Sequence, residues 1–474
     1  MTNKPNIIIV FPDQLRRQAL SCYGDKNIVT KNIDYYAENG AKFTKACSSY
    51  PVCVPFRYTL LTGQAAHQDK VPAISYTLPE EKRTLADEYN DAGYETIYVG
   101  KWHLSGVKMN AHTPMVARVP NNARGRWSKW YGFEVSNTFQ TTRFYEDDAE
   151  EDTVIDEYQT DGLFSVAMKH LAEKRDKTKP FCLVLSTEPP HDSVPSPAHY
   201  EKYPVHTRFP NKHDYFSPPE YYDKWQKKDI SLPDNYKPRD AEEEEYFCQG
   251  RKAYYAMIEN LDDNVGRLKE FLQQNDLAEN TIVVLLSDHG EMGGCNNTNG
   301  AHKSFPYEDS VGIPLVVYDP RQSPTIIDSP VNTEDLFPTL LGLTSSPCPK
   351  EACGTDCTPL VQKKQEELPR PGVMLEFVND PRFVFNFHQK AWRGFRSKDY
   401  KYTVIKEGDE ATKKWHFFDL KNDPAELNNL IDRPEYQAEI QKHHQYLQAE
   451  ISRTEDFFEL NDDLDLYNDE ASST

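Results

Sequence analysis

The sequence predicts an α/β protein, a large, mostly parallel sheet flanked by helices, with a smaller C-terminal α+β subdomain. Three patterns carry that reading. Apolar runs recur at residues 6–11 (NIIIVF), 96–99 (TIYV), 181–185 (FCLVL) and 281–286 (TIVVLL). They are continuous rather than alternating, which suits strands buried on both faces of a parallel sheet. Helical patterns at 155–173 and 245–274 separate them. In the second, Met257, Ile258, Leu261, Val265, Leu268 and Leu272 fall on one face. Beyond about residue 365 the pattern shortens and alternates.

The alternating segments lie near 383–387, 392–395, 400–404 and 415–420 and read as an antiparallel sheet. A closing helix at 435–453 presents Ile440, Leu447 and Ile451 on one side, and the acidic residues after it are expected to fray. The expected division is therefore 1–365 and 366–474. The Pro- and Tyr-rich stretch 194–239 is too long for a simple connector and reads as an ordered excursion that shapes a site.

Composition narrows the function. The chain has 474 residues, 54 Lys+Arg against 75 Asp+Glu, a formal net charge of −21 and a mean hydropathy of −0.76. That length suits one large domain and a smaller one. Hydrophobic residues at 38% and aromatics at 12% supply a core and exclude wholesale disorder. The acidic excess argues against a nucleic-acid partner, and no run approaches the about 18–20 apolar residues of a membrane span. The N-terminus runs straight into its first apolar segment, leaving no room for a leader. A cytoplasmic location is expected, or a periplasmic or secreted one if a leader has been removed. Nine scattered cysteines, an odd number, make no disulfide framework. Cys348, Cys353 and Cys357 lie close together, but their spacing fits no zinc pattern well.

Each buried run is followed at once by ionisable residues: Pro12-Asp13-Gln14, Gly100-Lys101-Trp102-His103, Glu188-Pro189-Pro190-His191 and Ser287-Asp288-His289-Gly290. Ligands of open α/β sheets bind beyond the carboxyl ends of strands, so one composite site is the economical reading. Asp13, Gln14 and Asp288 offer hard oxygens, which fit Ca²⁺ or Mg²⁺ better than zinc. His289 is a less natural ligand for such an ion and has an alternative role as a hydrogen-bonding support.

The segment Cys53-Val54-Pro55-Phe56-Arg57, running into Tyr58-Thr59-Leu60-Leu61-Thr62-Gly63, resembles the type I sulfatases of the alkaline-phosphatase-like superfamily. Their signature is C-x-P-x-R followed by a Leu-Leu-Thr-Gly-like segment, with the Cys oxidised to formylglycine. The G-K-W-H, P-P-H and S-D-H-G blocks, and Lys303 ahead of Tyr307-Glu308, extend the likeness. Tyr400-Lys401-Tyr402, Phe418-Asp419-Leu420 and Asp423-Pro424-Ala425-Glu426 carry it to the C-terminal subdomain.

The resemblance implies that Cys53 is the precursor of an aldehyde nucleophile, made by a formylglycine-generating maturase. It implies that Asp13, Gln14, Asp288 and His289, with the converted Cys53, hold Ca²⁺ or alternatively Mg²⁺. Arg57 and Lys101 would orient the hydrated aldehyde, with His103 beside it. Lys303 would grip sulfate oxygens, and His191 would face the scissile ester oxygen. Two positions depart from the family pattern: Gln14 stands where Asp is commoner, and Phe56 where Ser is usual. Gln14→Asp is expected to be tolerated.

The chemistry explains these residue types. A sulfate ester's oxygens repel nucleophiles, so metal, Lys and Arg must neutralise them in a preorganised site. One hydroxyl of the hydrated aldehyde attacks sulfur, and the other then loses its proton to expel sulfate. A poor leaving alcohol needs a proton, for which a His is the natural donor. A sulfated saccharide or small molecule is the expected substrate, with Trp127, Trp130, Arg143, His388 and Arg393 as candidate contacts through stacking and bidentate bonds. The rival reading is a phosphate or phosphonate monoester hydrolase of the same superfamily. A two-zinc phosphatase needs more His and Asp ligands than the sequence places. A non-catalytic anion-binding relic is disfavoured, because each matched position holds a competent residue.

Overall fold

A computed structural model describes residues 4–106, 117–136, 138–192, 217–298, 302–382 and 387–467. Ten of its strands form the main sheet: β1 (Asn6–Val10), β2 (Ala41–Phe43), β3 (Glu95–Lys101), β4 (Lys129–Phe133), β5 (Thr142–Glu146), β6 (Thr153–Ile155), β7 (Phe181–Ser186), β8 (Thr281–Leu286), β9 (Leu315–Tyr318) and β10 (Thr325–Ile327). Their spatial order is β10-β2-β9-β8-β1-β7-β3-β4-β5-β6. The four apolar runs of the sequence are thus the contiguous centre, β8-β1-β7-β3, paired in parallel throughout. Antiparallel pairs join β8 to β9, β9 to β2, β4 to β5 and β5 to β6 towards the edges.

Successive side chains of β1 point to opposite faces, and each face meets its own helical layer. Ile7 and Ile9 pack with the helix Cys53–Thr62, while Ile8 and Val10 pack with the long helix Ala241–Gln274. That helix starts four residues earlier than its apolar stripe suggests. Asp240 caps it by accepting from the Glu243 amide at 2.9 Å, and Glu242, Glu243 and Glu244 favour its positive end. The helix expected from residue 155 starts later: strand β6 takes that position, and the helix runs Gln159–Lys169 into a π turn, His170–Lys174.

The second sheet is antiparallel, β11 (Gly372–Phe377), β12 (Lys390–Ser397), β13 (Tyr400–Glu407) and β14 (Lys413–Asp419), in sequence order. The closing helix Gln437–Arg453 lays Ile440, Leu447 and Ile451 against Phe395, Tyr402 and Phe417. Residues 193–216, 383–386 and 468–474 lie outside the described residues, and with them much of the predicted excursion, a predicted strand and the acidic end. Among the described residues no helix is long and apolar enough to cross a membrane. Cys348, Cys353 and Cys357 are free thiols and form no candidate metal group there.

The structure corrects three of the expected substrate contacts. Arg393 is wholly buried, donating to both carboxylate oxygens of Asp456 at 2.5 and 2.9 Å and to the Phe377 carbonyl at 3.0 Å. Trp127 and Trp130 are buried around Tyr98, with the Trp130 ring stacked on it at 5.1 Å. Burial of a large aromatic is decided by packing, which composition does not reveal. Arg143, on β5, pairs with Asp152 at 2.9 Å. It lies four strands from β1, about 19 Å at the usual inter-strand spacing. His388 is half-buried, its Nδ1 3.3 Å from the Asp380 carbonyl.

Arg393→Ala leaves Asp456 buried without its partner, which typically costs about 3–5 kcal/mol. Chemical denaturation should show that loss, while kcat/KM of the folded enzyme stays unchanged. A raised KM with unaltered stability would return Arg393 to the substrate.

Candidate active site

The helix Cys53–Thr62 opens at Cys53, and Arg57 follows one turn later on the same side. This is the physical content of the C-x-P-x-R spacing: both side chains reach Asp13. Gly63, at φ 69°, ends the helix in the left-handed region.

Asp13 follows β1 and is fully buried. Its Oδ2 accepts from Lys101 Nζ at 2.7 Å and from Arg57 at 3.3 Å, and its Oδ1 lies 3.4 Å from Cys53 Sγ. Arg57 also donates to the Lys101 carbonyl at 2.7 Å and to Ser186 Oγ at 2.8 Å. Lys101 ends β3, with Glu188 Oε1 3.7 Å from its ammonium. Asp288 follows β8; its Oδ1 accepts from the amides of Gln14 and His289 at 2.9 Å each. His289 Nδ1 donates to the Gly290 carbonyl at 2.8 Å, which leaves Nε2 3.2 Å from Cys53 Sγ. Lys303 Nζ reaches Cys53 Sγ at 3.2 Å, Gln14 Oε1 at 3.1 Å and His191 Nε2 at 3.0 Å.

The structure therefore gathers Asp13, Gln14, Cys53, Arg57, Lys101, His191, Asp288, His289 and Lys303 at the carboxyl ends of the central strands. His103, at φ 60°, lies beside Cys53. Ligand atoms of Asp13, Cys53, Asp288 and His289 all fall within 4.8 Å of one another.

The charges are mutually compensated. Burial opposes ionisation of Cys53, but Lys303, Lys101 and His289 outweigh it and hold the thiol well below its ordinary value. Burial and Cys53 push Asp13 upward, while Lys101, His191 and Lys303 keep it well below the carboxylate range. Burial and the neighbouring Asp13 push Asp288 up to about 6. Burial and Lys101 depress His103 to about 4, so it is neutral at pH 7. Burial and Lys303 work against protonation of His191, but Asp192 and Asp13 raise it above its ordinary value.

Three residues at the site were not singled out from the sequence: Asp192, Glu291 and His302. Each adjoins or nearly adjoins one that was, following His191, following Asp288 by three, and preceding Lys303. The Gln14 amide nitrogen donates to Asp192 Oδ1 at 2.9 Å and to Glu291, and His302 Nδ1 lies 3.0 Å from both Glu291 oxygens.

This geometry accords with comparison to known proteins. A family model described as sulfatase matches residues 5–346, and one described as N-sulphoglucosamine sulphohydrolase, C-terminal, matches residues 300–453. The chain belongs to the sulfatase family, of the formylglycine type within the alkaline-phosphatase-like superfamily, and is a sulfuric ester hydrolase. It is 30% identical over 438 residues to an ulvan-active sulfatase of Formosa agariphila, covering 92% of this chain and 78% of that one. It is 27% identical over 467 residues to an endo-4-O-sulfatase of Bacteroides thetaiotaomicron, covering 90% and 88%. A solved Bacteroides thetaiotaomicron structure from work on glycosaminoglycan metabolism shares the fold at a TM-score of 0.82, with 23% identity over 96% of this chain and 97% of that one.

Gly100 lets β3 deliver Lys101. Its φ is 104°, and an added Cβ would lie 1.9 Å from the Ser186 carbonyl oxygen. Gly100→Ala should lower Tm and reduce kcat by at least about tenfold, because the displaced Ser186 and Lys101 carbonyl both hold Arg57. Wild-type kcat in the variant would contradict this.

Proposed function

We propose that the enzyme removes sulfate from a sulfated saccharide, using a formylglycine made from Cys53 and a divalent cation, Ca²⁺ with Mg²⁺ as the alternative. The observation that carries this is the placement of Cys53 Sγ, which stands in for the formylglycine oxygens. It lies 3.2 to 3.4 Å from Lys303, His289 and Asp13, in a buried setting of hard donors. The names of the two relatives, one active on ulvan and one an endo-4-O-sulfatase, support a saccharide substrate.

The donor set fits a cation. Asp288 Oδ2 is buried with no hydrogen-bond partner among the described residues, its guanidinium neighbour Arg57 being 3.6 Å away. Asp13, Asp288, the Gln14 oxygen and His289 Nε2 would hold the ion, which supplies positive charge to the nucleophile and to the sulfate oxygens. The formylglycine supplies a hydroxyl nucleophile whose turnover needs no attack of water at sulfur.

The chain's own side chains do the rest. Arg57 and Lys101 hold the Asp13 carboxylate in place, and Lys101, His191 and Lys303 keep it ionised. His103, neutral, can accept a proton beside position 53. Lys303 meets the non-bridging sulfate oxygens. The Nδ1 of His191 faces the Asp192 carbonyl, so Nε2 is the nitrogen turned toward the site and delivers a proton to the departing oxygen. Cys53, Val54, Pro55 and Phe56 are buried, so the maturase meets this segment before it folds.

Four tests bear on the reading. The Cys53 peptide of active enzyme should show the mass change of thiol-to-aldehyde conversion, and Cys53→Ser should fold yet lack turnover. Near-wild-type activity of that variant would end the formylglycine assignment. Chelation should inactivate the enzyme, with Ca²⁺ or Mg²⁺ restoring it better than Zn²⁺. Finally, His191→Ala should slow sugar sulfates by about 10²–10⁴-fold more than activated aryl sulfates, whose phenolate leaves without a proton. Lys303→Ala should slow both alike. Equal losses on both substrates for His191→Ala would remove its acid role. Rates on a sulfate and a phosphate ester of one alcohol should favour the sulfate.

A further inference from the structure

Gln14 is held at every polar atom. Its backbone is left-handed, at φ 66°, a conformation that a residue with a Cβ keeps only when its surroundings impose it. Its amide N–H donates to Asp288 Oδ1 at 2.9 Å, and its carbonyl accepts from the Tyr254 hydroxyl at 2.6 Å. In the side chain, Nε2 donates to Asp192 Oδ1 at 2.9 Å and to Glu291 Oε2, while Oε1 accepts from Lys303 Nζ at 3.1 Å. Asp192 and Glu291 are both almost fully buried. Ionised carboxylates only accept and an ammonium only donates, so both ends of the amide dictate the same orientation.

We infer that Asp192 and Glu291 are positioning residues, which clamp the Gln14 amide so that its oxygen faces the cation site. The inference rests on the cation reading above. It explains why this chain carries a neutral amide where its family more often has Asp. A glutamate at position 14 would replace the donated N–H groups by an oxygen facing two buried carboxyl groups, which leaves them to repel or to share a proton. This holds for glutamate, whose second oxygen would take the place of Nε2; the shorter aspartate expected to be tolerated at 14 does not occupy that position. The three groups Asp192, Glu291 and His302 lie close enough to resemble a second metal cluster. However, the space between them is taken by N–H groups of Gln14 and His302, which do the work of a cation.

Isothermal titration of Ca²⁺ into the chelator-treated full-length protein tests this. Gln14→Glu is isosteric and brings the better Ca²⁺ ligand, yet it should weaken binding by at least about tenfold, in the range of lost supporting contacts. Adding Glu291→Gln should recover part of that loss, because the new amide donates to the new carboxylate, while Asp192 still faces it. Asp192→Ala and Glu291→Ala, checked for folding by near-ultraviolet circular dichroism, should each lose about 10–100-fold. If Gln14→Glu does not fold, these two decide. Wild-type affinity in Gln14→Glu, failure of Glu291→Gln to recover any of the loss, or unchanged affinity in both alanine variants overturns the clamp alone. A wild-type chain that takes up neither Ca²⁺ nor Mg²⁺ overturns the cation reading, and the clamp with it.

Discussion

Asp13 is the point on which the active site turns. It is a carboxylate with no solvent exposure, and its two oxygens are divided between Lys101 and Arg57 on one side and Cys53 on the other. Burying one such charge costs several kcal/mol unless partners replace the lost water. The partners come from two places, the end of β3 and the helix Cys53–Thr62, while β1 delivers Asp13 itself. The parallel order β1-β7-β3 brings the ends of β1 and β3 to the same edge with β7 between them, and the packing of the helix onto Ile7 and Ile9 brings Cys53 and Arg57. Remove any one and the others face an uncompensated charge, so fold and site are stabilised by the same contacts.

The C-terminal sheet takes part through Lys303. The segment after it is tied down from the second sheet, where the Trp392 indole donates to the Ser304 carbonyl at 2.8 Å. Glu308 is shared by Arg17, Arg396 and Lys401 at 2.8 to 3.4 Å, and together these hold it well below the ordinary carboxylate range. His67 of the larger part bonds Glu376 of β11 at 2.7 Å. Lys303 carries a long side chain with much rotamer entropy to lose. These contacts fix the backbone that follows Lys303 from both parts of the chain, so the small sheet helps to position that segment of the candidate site.

The central strands were legible because burial on both faces demands continuous apolar runs. Most candidate site residues were legible because they follow such a run, Cys53 and Arg57 because the C-x-P-x-R segment is distinctive, and Lys303 through the family resemblance alone. The edge strands β2, β5, β6 and β10 were not, since three- to five-residue pairings at a sheet margin leave little pattern. Trp127, Trp130 and Arg393 were read as sugar contacts because aromatics and Arg suit sulfated sugars. Packing around Tyr98 and pairing with Asp456 show how the same chemistry serves a core. Asp192, Glu291 and His302 escaped because a supporting residue has no motif of its own. Its signal is adjacency to a residue that does.

Charge explains how an acidic chain recognises an anion. Around Cys53 the permanent cations Arg57, Lys101 and Lys303 face the carboxylates of Asp13 and Asp288, while Gln14 and His289 add donor atoms without formal negative charge. The overall charge of −21 is spread over a solvated surface and screened within about 8–10 Å. Arg57, Lys101 and Lys303 are buried or half-buried, where their charge is screened far less. A third carboxylate at position 14 would cancel part of it. Asp192 and Glu291 lie on the far side of the Gln14 amide, with His302 Nδ1 3.0 Å from the Glu291 oxygens. Burial would depress that imidazole, but Glu291 and Asp192 hold it up to about 9, so it stays protonated at neutral pH. The amide thus works as an insulator: it passes an oxygen forward to the cation site and leaves the negative charge that orients it behind.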